Sequence, residues 1–383
     1  MQEGELQTML QSVRDFVRKD VIPREGEIEE RDEVPRSIRE TAKAMGLFGF
    51  TIPEEFGGLG LGLTEQCLLL FEIGYTTPAL RSMFSTNIGI AGHVLMDGGT
   101  PEQQASWLPR LATGEVVASF ALTEPEAGSD PAGLRTTAVL DDDAWVINGG
   151  KRYITNAPVA DVFMVFARTD PAAGARGISV FIVPAHTPGL TVGPRDHKMG
   201  QFGAWTADVY LDGVRVPAAG LVGGDAGQTT GFHTAMRSLA NGRVLLAASC
   251  VGMAQRLVDE SVDYARNRRQ GGRPIAGHQL VQGMIADSVT DTMAARSLVL
   301  EVARNYENGS DQRTGPAVAK YFCSEAVGRV ADRSVQIHGG AGYMRSTAVE
   351  RFYRDARLFR IYEGTSQIQQ LVIARQVVGS AAS

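Results

Sequence analysis

One carboxylate in the sequence lies where it could take a proton from a bound substrate. Glu363 stands in the run Ile361–Gln370, after two apolar residues and before a glycine. A carboxylate among apolar neighbours can act as a general base near neutral pH. Ser366 and Gln369 have the spacing of a capping box, which predicts a helix start directly after Glu363. The run alone leaves two interpretations open, a catalytic base and an ordinary solvated carboxylate at a helix cap.

Two other segments combine glycines with polar side chains. In Phe120–Asp130 an apolar run enters a loop rich in hydroxyls and glycine, whose backbone N–H groups could bind a polar ligand. In Gln336–Tyr343 adjacent glycines follow a long helical pattern and would allow a ligand to approach the backbone closely. Each segment by itself also fits a simpler interpretation, the first as a turn into a strand and the second as a helix stop.

The composition and the missing motifs argue against several other classes of protein. No P-loop motif occurs, and Gly57, Gly58, Gly60 and Gly62 do not form the glycine fingerprint of a Rossmann dinucleotide site. The six histidines do not show metal-binding spacing, so no metal site is predicted. The net charge of −6 argues against a nucleic-acid partner, which normally requires a basic surface.

The expected location follows from the cysteines and from the apolar runs. Cys67, Cys250 and Cys323 are widely spaced and include no CxxC pair, which is typical of a protein in a reducing compartment. No apolar run approaches the roughly 20 residues of a membrane-spanning helix, and the acidic N-terminal stretch does not resemble a signal peptide. We therefore predict a cytoplasmic protein that does not bind membranes.

The elements that would position these residues fall into three regions. Apolar residues recur at helical spacing within residues 1–117 and again within residues 228–383. Residues 118–227 instead contain short β-prone runs separated by turn clusters. Strands with no helix between them predict an antiparallel barrel or sandwich rather than a parallel sheet. The clearest β-prone runs are Trp145–Ile147, Val162–Phe166, Ile178–Val183 and Val209–Leu211, and the longest amphipathic stretches are Leu280–Tyr306 and Ala317–Val335.

Taken together and in this order, these segments resemble the acyl-CoA dehydrogenase family over essentially the whole chain. The family's fold is mainly α with a central antiparallel β-barrel domain, so the resemblance implies an α–β–α order of domains. It also implies FAD, bound between the barrel and the C-terminal helices. The resemblance is greatest to short-chain and isobutyryl-CoA-type members. The matching segments are Pro53–Gly60, Thr123–Asp130, Tyr153–Asn156, Tyr264–Arg268, His278–Gln279, Gln336–Tyr343, Arg354–Ala356 and Tyr362–Gln369.

The resemblance implies a reaction and the residues that carry it. Glu363 would take the α-proton of an acyl-CoA thioester while FAD accepts the β-hydrogen as a hydride, which yields a trans-2-enoyl-CoA. The implied substrate contacts are Ser129, Arg243, Tyr362 and Gly364. The implied FAD contacts within one subunit are Phe120, Leu122, Thr123, Ser129, Tyr153, Thr155, Thr365 and Gln367. The implied contacts to the FAD of a neighbouring subunit are Arg268, Gln279, Gln336, Ile337, Gly339 and Gly340.

The resemblance implies partners as well. They are an acyl-CoA substrate, an electron-transfer flavoprotein as electron acceptor, and further copies of the chain in a homotetramer. Three other functions stay open at this point. The protein could be a dehydrogenase of carrier-protein-bound acyl groups, an oxidase that passes electrons to oxygen, or a flavoprotein that binds nucleic acid without dehydrogenase turnover.

Several positions depart from the family pattern. Some members carry the base just before the arginine that matches Arg243, but Gly242 occupies that position here and cannot serve, which favours Glu363. The other departures are Tyr153 in place of the usual tryptophan, Phe202 and Ala204 in place of arginine and serine, Ala240 in place of an acid near the CoA portion, and Gly271 in place of an aromatic residue. The change at Ala240 leaves the choice between CoA and a carrier protein open.

Overall fold

The computed structural model describes residues 3–379, with helices at both ends of the chain and strands in the middle. The helices are α1 (Glu3–Phe16), α2 (Glu25–Arg31), α3 (Arg36–Ala44), α4 (Leu63–Ile73), α5 (Pro78–Phe84), α6 (Gly92–Gly98), α7 (Pro101–Ala112), α8 (Gly231–Asn267), α9 (Gln279–Glu307), α10 (Thr314–His338), α11 (Ala348–Leu358) and α12 (Ser366–Val378). The strands are β1 (Ala118–Ala121), β2 (Thr137–Asp141), β3 (Ala144–Thr155), β4 (Val162–Arg168), β5 (Ile178–Pro184), β6 (Leu190–Val192), β7 (Thr206–Pro217), β8 (Arg269–Gln270) and β9 (Arg273–Pro274).

The longest predicted elements are confirmed. α9 and α10 contain the two amphipathic stretches, and the four β-prone runs lie within β3, β4, β5 and β7. α10 ends at His338, and Gly339 follows with a φ of +58°, so the predicted helix stop is confirmed. The predicted domain boundaries fall just before β1 and inside a short 3-10 segment, Gly224–Thr229, ahead of α8. The division into three domains stays a prediction.

The main sheet is a mixed, curled half-barrel, so the predicted antiparallel barrel is wrong. β1 lies parallel to β4, with Ala118 opposite Val162, and β2 meets β4 in parallel at Thr137 and Arg168. The remaining neighbours, β2–β3, β3–β7, β6–β7 and β4–β5, are antiparallel. Within the described residues β5 and β6 form the two edges and do not pair with each other, so the sheet does not close.

The burial of β4 explains why strand direction could not be read from the sequence. Val162, Met164 and Phe166 pack into the core of the helices, whereas Phe163 and Val165 pack inside the curl of the sheet. β5 divides its residues between the same two cores. Continuous apolar runs are typical of strands covered on both faces, which often have parallel neighbours. The absence of helices between the strands therefore did not show whether neighbouring strands are parallel or antiparallel.

The helices at the two ends of the chain share one core, and that core meets the sheet at β1, β4 and β5. A π-helical segment, Ser85–Ala91, follows α5 and lies next to β1, where the side-chain oxygen of Asn87 accepts the backbone N–H of Ala118 at 2.6 Å. α8 packs against α4, α9 and α10. No helix among residues 3–379 combines the length and the apolar character that crossing a bilayer requires.

Candidate active site

Glu363 lies in the turn between α11 and α12, in a backbone conformation that must be held in place. Its φ is +56°, and that of Gly364 is +90°. A non-glycine residue in the left-handed region costs on the order of 1–3 kcal/mol and persists only where its surroundings enforce it. A Cβ on Gly364 would lie 2.5 Å from Nε2 of Gln369, so the turn requires glycine at this position.

The helix after this turn is capped one residue earlier than predicted. Thr365 is the N-cap of α12, and its Oγ1 accepts the backbone N–H of Ile368 at 3.2 Å. The capping box predicted from Ser366 and Gln369 is therefore wrong. The Ser366 hydroxyl instead donates to Glu325 at 2.7 Å, and Gln369 turns back toward the carbonyl groups of the turn.

Three side chains hold the two carbonyl groups of the turn. The carbonyl oxygen of Glu363 accepts from Nε of Arg243 at 3.1 Å and from Nε2 of Gln369 at 3.2 Å. The carbonyl oxygen of Gly364 accepts from Nζ of Lys320 at 2.7 Å and from the same Gln369 amide at 3.0 Å. Lys320 and Gln369 are fully buried. These hydrogen bonds enforce the left-handed backbone and so direct the Glu363 side chain.

The two oxygens of the Glu363 carboxylate have different surroundings. Oε1 accepts from a guanidinium nitrogen of Arg81 at 3.1 Å, and the exposed fractions of these side chains are 7% for Arg81 and 8% for Glu363. Oε2 is buried without a hydrogen-bond partner among the described residues. A Cβ at Gly242 would lie 3.0 Å from Oε2, so the glycine leaves room for the carboxylate. One oxygen is thus anchored and the other can receive a proton.

A chain of polar contacts continues from Arg81 to the loop before β7. Arg81 donates to the hydroxyl of Tyr362 at 3.2 Å, and Nε2 of Gln201 lies 3.5 Å from the same hydroxyl. The backbone N–H of Gln201 donates to the carboxylate of Asp355 in α11, and its side chain donates to the Asp355 carbonyl oxygen at 3.1 Å. Burial raises the pKa of Asp355 to about 7, although the N–H of Gln201 acts in the opposite direction.

Glu363 faces a cavity of about 1050 Å³ at the junction of the helices and the sheet. The cavity brings together the predicted base and predicted contacts from both the sheet and the helices. The predicted residues that line it are Phe120, Leu122, Thr123, Ser129, Tyr153, Thr155, Arg243, Tyr362, Glu363 and Gly364. Arg81 and Gln201 line it as well.

The loop that contributes Thr123 and Ser129 is attached to β3. The backbone N–H of Arg152 donates to the carbonyl oxygen of Thr123 at 2.8 Å. Nζ of Lys151 donates to the Glu124 carboxylate at 2.7 Å, and both side chains of this ion pair are buried. Burial lowers the pKa of Lys151 to about 8. A buried pair of this kind fixes the loop beside the end of β3.

The other predicted cofactor residues lie outside this cavity, and their assignment to FAD stays a prediction. Arg268, Gln279, Gln336, Gly339, Gly340 and Gln367 are exposed, Ile337 is buried in α10, and Thr365 is the cap of α12. The departure at Gly271 has a local explanation. Gly271 and Gly272 form the two-residue turn between β8 and β9, with φ values of +61° and +78°, and glycine adopts such values without strain.

The roles of Arg81 and Lys320 were not predicted, although the sequence around each contains a recognisable signal. Arg81 is the only charged residue in the apolar run Pro78–Phe84, and Lys320 is the only one in Pro316–Cys323. A single charge within an apolar helical run indicates a buried group that needs a specific partner. Gln369 was assigned to a helix cap, so its contacts with the turn were also missed.

Comparison with known proteins gives matches along the whole chain. The N-terminal, middle and C-terminal domain models of acyl-CoA dehydrogenase match residues 3–115, 119–214 and 229–378. An acyl-CoA dehydrogenase of Bacillus subtilis (strain 168) is 39% identical over 371 residues, which is 97% of each chain. A subunit of the caffeyl-CoA reductase–Etf complex of Acetobacterium woodii is 39% identical over 362 residues, or 94% of this chain and 95% of the relative. The structure of butyryl-CoA dehydrogenase from Megasphaera elsdenii matches with a TM-score of 0.93 and 31% identity over 98% of each chain.

A buried carboxylate that faces a deep cavity between a curled sheet and two sets of helices, together with these matches, defines an FAD-dependent oxidoreductase acting on CH–CH bonds. More specifically, the chain belongs to the acyl-CoA dehydrogenase family.

The residues of the cavity fit FAD. Phe120, Leu122 and Tyr153 offer apolar surface to a planar ring, and Thr123 and Thr155 bring hydroxyl groups beside it. The Tyr153 side chain is 62% exposed, although a guanidinium covers one face of its ring. A half-covered aromatic ring at the edge of a cavity suits a large planar ligand, because stacking would remove its remaining surface from water.

Proposed function

We propose that this protein oxidises the Cα–Cβ bond of an acyl-CoA thioester to the trans-2-enoyl-CoA, with Glu363 as the base that takes the α-proton. The observation that supports this most strongly is the buried Oε2 of Glu363, which lacks a hydrogen-bond partner in the described structure and belongs to a residue lining the cavity. A base needs one free lone pair directed at the proton it removes, and its other oxygen needs an anchor. Arg81 supplies that anchor at Oε1.

The chain's own residues can orient the substrate for this transfer. The hydrogen bonds from Arg243, Lys320 and Gln369 hold the turn and thereby fix the direction of the base. The backbone N–H of Glu363 is the proposed donor to the thioester oxygen, where negative charge develops as the α-proton leaves. FAD, when bound, supplies the acceptor for the β-hydrogen.

The proposed cofactor site is the sheet side of the cavity. Phe120, Leu122 and Tyr153 would contact the ring system, while Thr123, Ser129 and Thr155 would donate hydrogen bonds to it. The buried pair of Lys151 and Glu124 supports this arrangement, because it fixes the loop and leaves the hydroxyls at the cavity wall. Because this side of the cavity is already ordered before FAD binds, less conformational entropy is lost on binding.

The proposed substrate is a short straight or branched acyl-CoA, and the proposed electron acceptor is an electron-transfer flavoprotein. The similarity to a butyryl-CoA dehydrogenase supports the first proposal, and the similarity to a subunit of a reductase–Etf complex supports the second. A homotetramer is proposed as well. Exposed apolar side chains of the C-terminal helical part, Leu280, Met293 and Tyr343, support association between copies of the chain.

A variant of the base tests the proposed reaction. We expect Glu363→Gln to keep its bound FAD and to lose turnover by roughly 10²–10⁴-fold, because a positioned base contributes about that much. The measurement is dye reduction with acyl-CoAs from short to long, straight and branched, beside carrier-protein-bound acyl groups, with peroxide release followed in air. Glu55→Gln, at an exposed position of the loop before α4, is the matched control. Undiminished turnover in Glu363→Gln would refute the assignment of the base.

A further inference from the structure

Lys320 is a buried lysine without an acidic partner, directly behind the turn that carries Glu363. It lies in α10 and none of its surface is exposed. Its Nζ donates to the carbonyl oxygen of Gly364 at 2.7 Å, and no carboxylate within residues 3–379 forms an ion pair with it. The other fully buried lysine, Lys151, is paired with Glu124 at 2.7 Å. The hydrogen-bond acceptor of the Lys320 ammonium group is therefore a neutral carbonyl oxygen.

The burial of Lys320 costs stability. Loss of hydration lowers the pKa of its ammonium group to about 8, so the folded protein holds the charged form at neutral pH against a desolvation cost. An apolar side chain of similar length would avoid this cost, because exchange of buried charge for hydrophobic volume is often neutral or stabilising. Folding stability alone thus does not account for a lysine at this position.

The surroundings of Lys320 connect it to the base. The charged and titratable groups that act on it most strongly among the described residues are Glu363 on the turn, Arg243 and Cys250 on α8, and Glu325 on α10 itself. The ionised carboxylate of Glu363 favours the ammonium, and the guanidinium of Arg243 opposes it. The positive charge of Lys320 is therefore coupled to the negative charge of the Glu363 carboxylate.

We propose that Lys320 is a positioning residue for the proton transfer: its ammonium group anchors the Gly364 carbonyl, holds the left-handed turn, and places a positive charge behind the base. This inference rests on the proposed role of Glu363. The hydrogen bond fixes the second peptide of the turn, while Arg243 and Gln369 fix the first. Loss of the anchor would let the turn relax from its positive φ, and a displacement of about 1 Å at a reacting group can cost on the order of 100-fold in rate.

The decisive variant is Lys320→Met, which removes the charge and the donor but keeps the volume. We expect kcat to fall at least ~10-fold while Tm stays equal to or above that of the parent protein, because the desolvation cost is gone. Lys19→Met, at a side chain that is 72% exposed, is the control and should leave both quantities unchanged. An unchanged kcat, or a kcat and a Tm that fall together, would show that Lys320 has only a structural role.

The pH dependence of the parent protein provides a second measurement that does not depend on the stability of the variant. Below pH 8 the ammonium is charged, and above it the group becomes neutral. We expect kcat of the parent to fall as the pH rises through about 8, and the profile of Lys320→Met to be flat there. The same fall in both proteins would overturn the role of the charge. Undiminished turnover in Glu363→Gln would instead contradict the proposed function, so the two failures are distinguishable.

Discussion

Two buried charges of opposite sign meet at the base, and each depends on the other. The side chains of Arg81 and Glu363 are joined at 3.1 Å and are almost completely buried. Desolvation of a single charge in such a place is costly, and the attraction to a partner offsets the cost only while both groups are present. Arg81 also has a buried Nε without a hydrogen-bond partner in the described structure, so its own surroundings leave it only partly satisfied.

We expect Arg81→Met to destabilise the protein by about 3–5 kcal/mol, because it would leave the Glu363 carboxylate buried and unpaired. The measurement is the free energy of unfolding from a urea titration at pH 7. Arg215→Met provides the control. Arg215 pairs with Asp141 at 2.6 Å, but the two side chains are 51% and 58% exposed, so its loss should cost much less than that of Arg81. Equal losses in the two variants would contradict the buried-pair interpretation.

At this scale the sequence predicted the base but not the groups that hold it. Glu363 was recognisable because its run is local and has a glycine and a helix start beside it. Two donors lie 282 and 120 residues away from Glu363, at Arg81 and Arg243, and the third, Lys320, lies 44 residues away from its acceptor Gly364. Local patterns do not contain such pairings, so only the folded arrangement brings the four groups together.

At the scale of elements, the loop before β7 is joined to α11 through one buried carboxylate. Asp355 is 1% exposed, accepts the backbone N–H of Gln201, and has a second oxygen without a hydrogen-bond partner in the described part of the chain. Gln201 lines the cavity, so this contact positions part of the site from outside it. The raised pKa of Asp355, about 7, means that the folded state favours the protonated carboxyl group.

This link predicts a pH-dependent loss of stability that Asp355→Asn should remove. Between pH 3.8 and about 7 the folded chain retains a proton on Asp355 that the unfolded chain releases, so stability falls as the pH rises through that range. The contribution is on the order of 4 kcal/mol, since each tenfold change in proton affinity is worth about 1.4 kcal/mol. Asparagine keeps the acceptor for Gln201 and does not titrate.

Urea unfolding of both proteins at pH 5 and pH 8 checks this expectation. The free energy of unfolding of Asp355→Asn, relative to that of the parent, should be higher at pH 8 than at pH 5. Asp141→Asn, at an exposed carboxylate on the surface of the sheet, is the control for general charge effects. A variant that is weaker than the parent by the same amount at both pH values would show that Asp355 is ionised in the fold.

The positions of the helices and strands could be predicted from the sequence, but the pairing of the strands could not. The spacing of apolar residues fixed the extents of α9 and α10 to within a few residues, because helical periodicity is a local property. The β-prone runs found the strands for the same reason. Their directions depend on which strands are neighbours, and the pairing of Ala118 with Val162 joins residues from two separate runs. The unbroken apolar runs of β4 and β5 were the available signal for burial on both faces.

Over the whole protein, the helices from the two ends of the chain pack into one hydrophobic core. Their shared core includes residues from α1 to α11, and the site lies where that core meets the sheet. The order of helical, β and helical regions could be predicted from composition and periodicity. The packing of the two ends against each other could not be predicted, because it depends on contacts between distant residues. Glu25, for example, contacts Arg256 and Arg351, which lie 231 and 326 residues away along the chain.

The Glu25 carboxylate joins the two ends of the chain through buried ion pairs. Its carboxylate accepts from Arg351 at 2.6 Å, from the Thr76 hydroxyl at 2.6 Å and from Arg256 at 3.4 Å. The exposed fractions of the Glu25, Arg256 and Arg351 side chains are 4%, 7% and 9%. The Glu25 carboxylate thus pairs with two buried guanidinium groups, that of Arg351 from α11 and that of Arg256 from α8, and Arg256 also pairs with Glu260 at 2.7 Å. Removal of its charge leaves both in a region of low dielectric without their shared partner.

We expect Glu25→Gln to lower the free energy of unfolding by about 3–5 kcal/mol, because glutamine has a similar shape but no charge to offset the two arginines. Glu27→Gln is the matched control in the same helix. Glu27 forms ion pairs with Arg24 and Arg31 at 3.0 Å, but its side chain is 29% exposed, so its replacement should cost much less than that of Glu25. Urea titration of both variants, followed by the circular dichroism of the helices and by tryptophan fluorescence, measures the difference. If Glu25→Gln and Glu27→Gln were equally stable, the buried cluster would not join the two ends of the chain.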